Sequence, residues 1–442
     1  MREAAWVESN YAGLAGRADP VAGLNGMRER ALSRFLELGI PAVSDEEWRF
    51  TNLSAIAETP FKLAAESGSS PQRLSEARIN EEGAIELVFV NGFYAAGLSS
   101  PPGEGLTVRA VSLAGASKRD AGLITNHLGS LLSFEHKAFA ALNTAFFRDG
   151  ALVVVPDGVK MGRPVHLIHI TEPGAEAAVT HPRSLILIGA DAEARVIESY
   201  SGPAGRPYLT NPAVEILVGA NAHLDHVKLQ DEGNQARHIA LNRIALERDS
   251  RYSSNVISLG AALMRNDIHT ALKGEGSEVQ LNGLVLAGDD QHIDNFTEIE
   301  HAQARARSQE LYKVILDQRA SAVFTGRIHV RKGAQKTDAI QSNANLLLSE
   351  EAKVDTQPQL EIYADDVRCT HSGTVGQIDE DSVFYLRSRG VSAAQARDIL
   401  IRAFAGDVID GLPSHAVREK IEVLLRERLR GGHLVRAAES RS

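Results

Sequence analysis

The sequence predicts a mainly β protein built as a coil of parallel strands stacked on itself, with helical segments at both ends. Three observations carry this. From Ala151 onward the chain is a succession of short Val/Ile/Leu-rich segments broken by Gly, Asp and Asn. A turn-then-strand signature recurs beneath them: taking Ala194, Ala222, Ser250 and Ser277 as markers, the steps are 28, 28 and 27 residues. Such a period, made of strands and tight turns without helices, is that of a solenoid, in which each coil buries its apolar face only against its neighbours. A two-sheet sandwich would instead need serial hairpin turns of the Asn-Gly kind, and only Asn91-Gly92 and Asn282-Gly283 occur.

The elements follow in order. Residues 21–38 carry Leu24, Met27, Leu32, Phe35 and Leu36 at helical spacing, and Gly39 and Pro41 stop the run. Ser44-Asp45-Glu46-Glu47 reads as a capping box leading into Trp48. Residues 66–71 form a Ser/Gly-rich linker, 84–91 a strand and 123–147 a further helix. Strands are expected at 152–155, 165–170, 185–188, 194–198, 214–218, 223–228, 239–246, 252–257, 268–272 and 279–286, and onward to Cys369. Ser392 caps a helix over 393–404, and Ser414 caps a second containing Val417, Ile421, Leu424, Leu425 and Leu429. Arg426, Arg428 and Arg430 suit the negative end of that helix. The expected divisions are a mostly helical region 1–150, a β core 151–385, a helical region 386–431 and a disordered tail 432–442.

Composition narrows the function. A net charge of -10 opposes binding to nucleic acid or anionic membrane, and 5% aromatic residues leave little for base stacking. One cysteine rules out an intrachain disulfide and points to the cytosol. No apolar run approaches the roughly 18 residues of a membrane helix, and Met1 to Glu8 holds no signal-peptide core. The phosphate-binding loop, G-x-S-x-G and H-E-x-x-H are absent.

The most informative residue is Cys369, within Asp365-Asp366-Val367-Arg368-Cys369-Thr370-His371-Ser372-Gly373. Val367, Cys369 and His371 alternate with polar residues, a strand pattern that puts thiol and imidazole on one face about 7 Å apart. Together they suit a soft or borderline metal, but a closed tetrahedral site wants about four ligands, so a second polypeptide must complete the site if there is one. The plainer reading is a buried small hydrophobe beside an ordinary strand histidine. His269, His292, His301 and His329 fall on successive coils, where they either stack into a ligand column or simply hydrogen-bond to neighbours. Asp289-Asp290 and Asp365-Asp366 suit either a solvated rim of turns or paired carboxylates for polysaccharide cleavage.

Several long motifs in order resemble the SufB/SufD family of iron–sulfur cluster assembly proteins. They are Asp45-Glu46-Glu47-Trp48-Arg49-Phe50-Thr51-Asn52-Leu53, Gln341-Ser342-Asn343-Ala344-Asn345-Leu346-Leu347-Leu348-Ser349, the run from Asp366 to Asp379, and Phe384-Tyr385-Leu386-Arg387-Ser388-Arg389-Gly390-Val391. SufB-like chains carry additional cysteines, so the single Cys369 places the likeness on the SufD side. The resemblance implies a right-handed parallel β-helix flanked by helices. It further implies a partner SufB-like subunit joined through the β-helix ends and a SufC-like ATPase docked on the C-terminal helices. Carried over by position, Cys369 and His371 fall at the subunit junction where a transient iron–sulfur cluster forms, with no tightly bound cofactor expected on the chain alone. Arg397, Asp398, Ile401, Arg402, Phe404 and Asp407 fall in the SufC-docking helices. The expected function is therefore a non-catalytic cytoplasmic scaffold. Two alternatives remain open: an architectural homodimer with no metal role, and a β-helix polysaccharide lyase.

Overall fold

Each coil contributes one strand to each of two sheets, and coil-to-coil pairing is parallel throughout the stack. In the computed structural model, which describes residues 4–14, 24–100, 108–116 and 118–430, this produces a parallel β-solenoid of about eight turns with helices at both ends. One sheet runs from Ala151–Val155 through Arg183–Ile188, Ala213–Val218, Ala236–Leu246, Leu263–Leu272, His292–His301 and Ser321–Val330 to Lys353–Ile362. The other runs from Ile85–Val90 through Val165–Ile170, Glu193–Ser201, His223–Asp231, Arg251–Ser258, Glu278–Ala287, Arg307–Leu316 and Asp338–Leu347 to Arg368–Gly376.

The repeat has a backbone cause. Asp191, Asn221, Asp249, Gly276, Arg305 and Lys336 all have φ between 56° and 72°, in the left-handed region, and occupy the same corner of successive coils. Each of their amides donates to a carbonyl of the next coil, as in Asp191 N to Ala220 O (2.8 Å) and Asn221 N to Arg248 O (2.8 Å). The next residue is small and buried every time: Ala192, Ala222, Ser250, Ser277, Ala306 and Thr337. The first marker of the period is thus Ala192 rather than Ala194, and the corner steps are 30, 28, 27, 29 and 31 residues.

The solenoid exceeds its expected bounds at one end and falls short at the other. Ile85–Val90 pairs parallel with Val165–Ile170, so the stack begins upstream of residue 151. Glu380–Ser388 is already helical. Asn91-Gly92 does form a hairpin, with φ of 55° and 79°, joining Ile85–Val90 to Phe93–Tyr94. Asn282-Gly283 instead lies inside the strand Glu278–Ala287. The residues before Leu24 in the first expected helix, and the tail 432–442, lie outside the described residues.

Tertiary contacts override local pattern in two places. The helix expected over 123–147 is split into Lys118–His127 and Ala138–Phe146. Between them the amides of Gly129, Leu131 and Leu132 donate to the fully buried Glu215 carboxylate at 2.7, 2.8 and 2.9 Å, and Arg183 pairs with it at 2.6 Å. Those bonds require a turn where helix periodicity would continue. The capping box expected at Ser44 does not form: Asp45 Oδ2 accepts from Ala42 N at 2.8 Å, and only a short 3-10 turn, Glu46–Trp48, follows. The C-terminal helices Ala393–Ile409 and His415–Arg430 do form, the first with a complete Ser392/Gln395 capping box. They cover one outer face of the solenoid, where Ala396, Ile401, Ala405, Val408, Val417 and Ile421 pack with Ile257, Leu284, Ile315 and Leu346. Arg428 reaches the solenoid, pairing with Asp231 and donating to Leu259 O at 2.5 Å, instead of serving its own helix end.

Candidate functional site

Arg368–Gly376 is the last strand of its sheet, paired on one side with Asp338–Leu347 and on the other with nothing among the described residues. Register sets which side chains face inward. Cys369 lies opposite Ala339 and His371 opposite Gln341, both buried, whereas Thr370 lies opposite Ile340, which is exposed. Thiol and imidazole therefore share the inner face, as alternation requires. Being on the terminal coil, they have no further coil above them.

Their environments differ. Cys369 is half-buried at the end of an apolar cluster of Ile328, Val330, Ala334, Ala339 and Ala364. Burial first, and the Asp338 carboxylate second, push its pKa up, so the thiol stays protonated at neutral pH until a metal or cation draws the proton off. His371 is exposed. No cluster of three or more His, Cys, Asp or Glu suited to a metal occurs among the described residues. The pair lies on a face that another molecule can reach.

Directly beneath it the interior is polar. Gln341, fully buried, donates from Nε2 to Glu310 Oε2 at 2.6 Å, and Glu310 is itself buried one coil further in. Burial pushes the Glu310 carboxyl up to about 7, partly opposed by hydrogen bonds from Thr297 and Gln341. Glu310 Oε1, Gln341 Oε1, Tyr312 Oη and Asn345 Oδ1 are buried without a hydrogen-bond partner. Strand alternation alone puts residues 310 and 341 on the inner face, but a lone Glu in a strand carries no signal that it is buried.

Around the open end the surface is apolar. Val375, Phe384, Tyr385, Ile340, Ile362 and Tyr363 are all exposed, Phe384 at 71%. Most of the exposed large hydrophobics of the described residues gather at this end, a concentration that marks an interaction surface. The unpaired strand edges of Arg368–Gly376 and Lys353–Ile362 supply backbone groups for pairing.

The six residues expected to dock a partner ATPase all lie on Ala393–Ile409 but face differently. Ile401 is buried against the solenoid, so it holds the helix in place and is withdrawn from any docking surface. Lys313 donates to Phe404 O at 2.8 Å, sits 4.7 Å from the Phe404 ring centre and pairs with Asp407. Those two residues therefore also fasten the helix to the solenoid. Arg397 pairs with Glu380 at 2.6 Å, and Asp398 pairs with Arg402 along the helix, all three partly open to solvent.

The histidines do not form a ligand column. Parallel register places Glu298 and then Arg327 above His269, and Ser321 above His292. His301 is buried with Nε2 2.9 Å from Ser308 Oγ, and burial lowers its pKa to about 4. His292 is bonded to Thr51 Oγ1 (3.0 Å) and Ser321 Oγ (2.8 Å). The Asp289-Asp290 corner is a solvated turn, with Asp290 in a two-pronged pair with Arg319 at 2.7 Å. Sequence reasoning missed a larger buried network inside the middle coils: His226 bridges Glu198 (2.7 Å) and Tyr252 (2.8 Å), while Lys228 and Glu232 flank His238 at 2.9 and 2.7 Å. Each of these residues has a partner in the network, as burial of charge requires.

With this geometry in place, comparison with known proteins is direct. Residues 169–404 match the family described as "SUF system FeS cluster assembly, SufBD core domain", and residues 16–167 match "SufBD protein N-terminal region". The chain is 33% identical over 407 residues to the iron–sulfur cluster assembly protein SufD of Escherichia coli, covering 91% of this chain and 93% of that one. It is 31% identical over 416 residues to an iron–sulfur cluster assembly SufBD family protein of Synechocystis, covering 92% and 91%. Similarity to SufB of Bacillus subtilis is lower, 25% over 302 residues, covering 67% and 64%.

Proposed function

The chain belongs to the SufB/SufD family of SUF-system iron–sulfur cluster assembly proteins, and from that premise we propose that it is a non-catalytic, SufD-like scaffold subunit working in the cytoplasm. It pairs with a SufB-like subunit through the open end of its solenoid and receives a SufC-like ATPase on its C-terminal helices. The cluster is cargo, held in passing, and the chain alone keeps no resident cofactor.

One observation carries this reading: the terminal strand, unpaired along its outer edge among the described residues, bears a thiol and an imidazole on one face, inside a rim of exposed apolar residues. Two donors are half of what an iron of a cluster needs. An edge strand with apolar surroundings supports strand-to-strand pairing with another solenoid. In that junction Cys369 supplies a thiolate and His371 a neutral imidazole, the remaining ligands coming from the partner. Metal binding at Cys369 releases the thiol proton, so it is coupled to pH. Arg397, Asp398, Arg402 and Asp407, whose side chain stays 68% exposed beside Lys313, are left to meet the ATPase, since Ile401 is buried against the solenoid and Phe404 packs on it.

The test is co-expression with SufB-like and SufC-like subunits, followed by iron and sulfide analysis. Cys369→Ser and His371→Ala, made separately, are expected to lower bound iron while the complex still assembles. Wild-type iron content in both variants would defeat the ligand role. The same edge also fits a second copy of this chain, and expressed alone the protein is expected to elute as a two-fold dimer. A dimer that persists in the presence of the SufB-like subunit would favour the architectural reading.

A further inference from the structure

The column beneath His371 has a directional feature. Parallel register stacks Glu310, Gln341 and His371 on successive coils, one strand spacing of about 4.8 Å apart. The Gln341 amide is pinned from two sides. Its nitrogen donates to Glu310 at 2.6 Å, and above pH 7, where that carboxyl is ionised and can only accept, the amide cannot flip without losing the bond. Opposite it stands Gly326, where an added Cβ would fall 2.2 Å from Gln341 Nε2 and 2.9 Å from the Phe324 ring. No side chain larger than hydrogen leaves room for this arrangement. With its nitrogen committed inward, Gln341 has an Oε1 that is buried and makes no hydrogen bond. A buried amide oxygen left unpaired costs about 1–3 kcal/mol, so such atoms usually have a purpose. His371 is the side chain in register on the next coil, and its ring has no hydrogen-bond partner among the described residues.

We propose that Gln341 is a positioning residue for His371: its Oε1 accepts the N–H of the imidazole, fixing one tautomer and leaving the other ring nitrogen as the ligand atom. The exposed ring reaches this contact by rotating about its side-chain torsions. Metal-binding histidines are generally oriented in this way by an acceptor behind them. Glu310 acts one step further back by holding the amide in the orientation that presents oxygen. The inference rests on His371 being a ligand, but its first consequence is visible without metal.

The experiment uses the full-length, metal-free chain labelled with 15N-histidine, with ring tautomers read from long-range 1H–15N correlations at pH 8. In the wild type, one His371 tautomer is expected to be favoured about fivefold more than in the exposed His136, the bias that one net hydrogen bond gives. Gln341→Ala removes that bias. Gly326→Ala, which crowds the amide without changing its chemistry, reduces it, and Gln341→Glu, which keeps an oxygen in place, retains it. A wild-type His371 ratio equal to that of His136, or one unchanged in both Gln341→Ala and Gly326→Ala, overturns the proposal. Should Gln341→Ala fail to fold, the wild-type ratio and Gly326→Ala still decide. The two readings separate cleanly: wild-type iron content in His371→Ala removes the ligand role and leaves the tautomer result standing, whereas an unbiased tautomer removes the positioning role and leaves the ligand reading intact.

Discussion

Replacing Glu310 with Gln gives a stability change whose size and pH dependence both follow from burial. The carboxyl is enclosed by the solenoid, its Oε1 has no partner, and its pKa is pushed from 4.5 up to about 7. Between those values the folded chain keeps a proton that the unfolded chain has shed. Stability therefore falls as pH rises through that window, the reverse of a salt-bridged carboxylate. Above pH 7 both states are ionised, and the accumulated cost is about 3 kcal/mol. Gln has nothing to titrate and keeps an oxygen for the Gln341 amide. Glu310→Gln should therefore match the wild type near pH 4.5 and exceed its stability by about 3 kcal/mol above pH 7. Urea unfolding followed by circular dichroism at pH 5, 6, 7 and 8 would trace the difference. A constant offset across that range would mean that Glu310 is ionised and fully solvated in the folded chain, and the account of a dry polar interior would be wrong.

Other perturbations probe other parts of the molecule. Glu215→Leu strands Arg183 and three backbone amides in the interior and should cost about 3–5 kcal/mol, seen as a large loss of thermal stability. Lys313→Ala removes the bonds to Phe404 and Asp407, costing about 1–3 kcal/mol, and hydrogen exchange should quicken in 393–409 while the solenoid stays protected. Val375→Asp or Phe384→Asp, both on exposed positions, should leave the unfolding free energy of a monomeric form within about 0.5 kcal/mol of the wild type yet abolish association through the open end, measured by sedimentation.

The solenoid was legible because its signals are local and repeated. A residue tolerant of left-handed φ, then a small residue, then an alternating apolar strand returns about every 29 residues in register, and Asp249-Ser250-Arg251-Tyr252 and Gly276-Ser277-Glu278-Val279 announce it without knowledge of the partner coil. The Cys369–His371 pair was equally visible, since alternation puts positions two apart on one face in any strand. Helix ends were readable where a cap is local, as at Ser392, and misread where a distant group intervened: nothing near Gly129 reveals that Glu215 will claim its amide.

What the residues alone determined, then, was the coil, its approximate pitch and the face shared by thiol and imidazole, because each depends on neighbours within a few positions along the chain. Only the folded chain decided that this face is the uncovered end of the stack, that Ile401 and Phe404 are spent on fastening a helix, and that Glu310 and Gln341 lie in line beneath His371. Those facts depend on register between coils some 30 residues apart and on what remains unpaired when the last coil is laid down, quantities that no local pattern encodes.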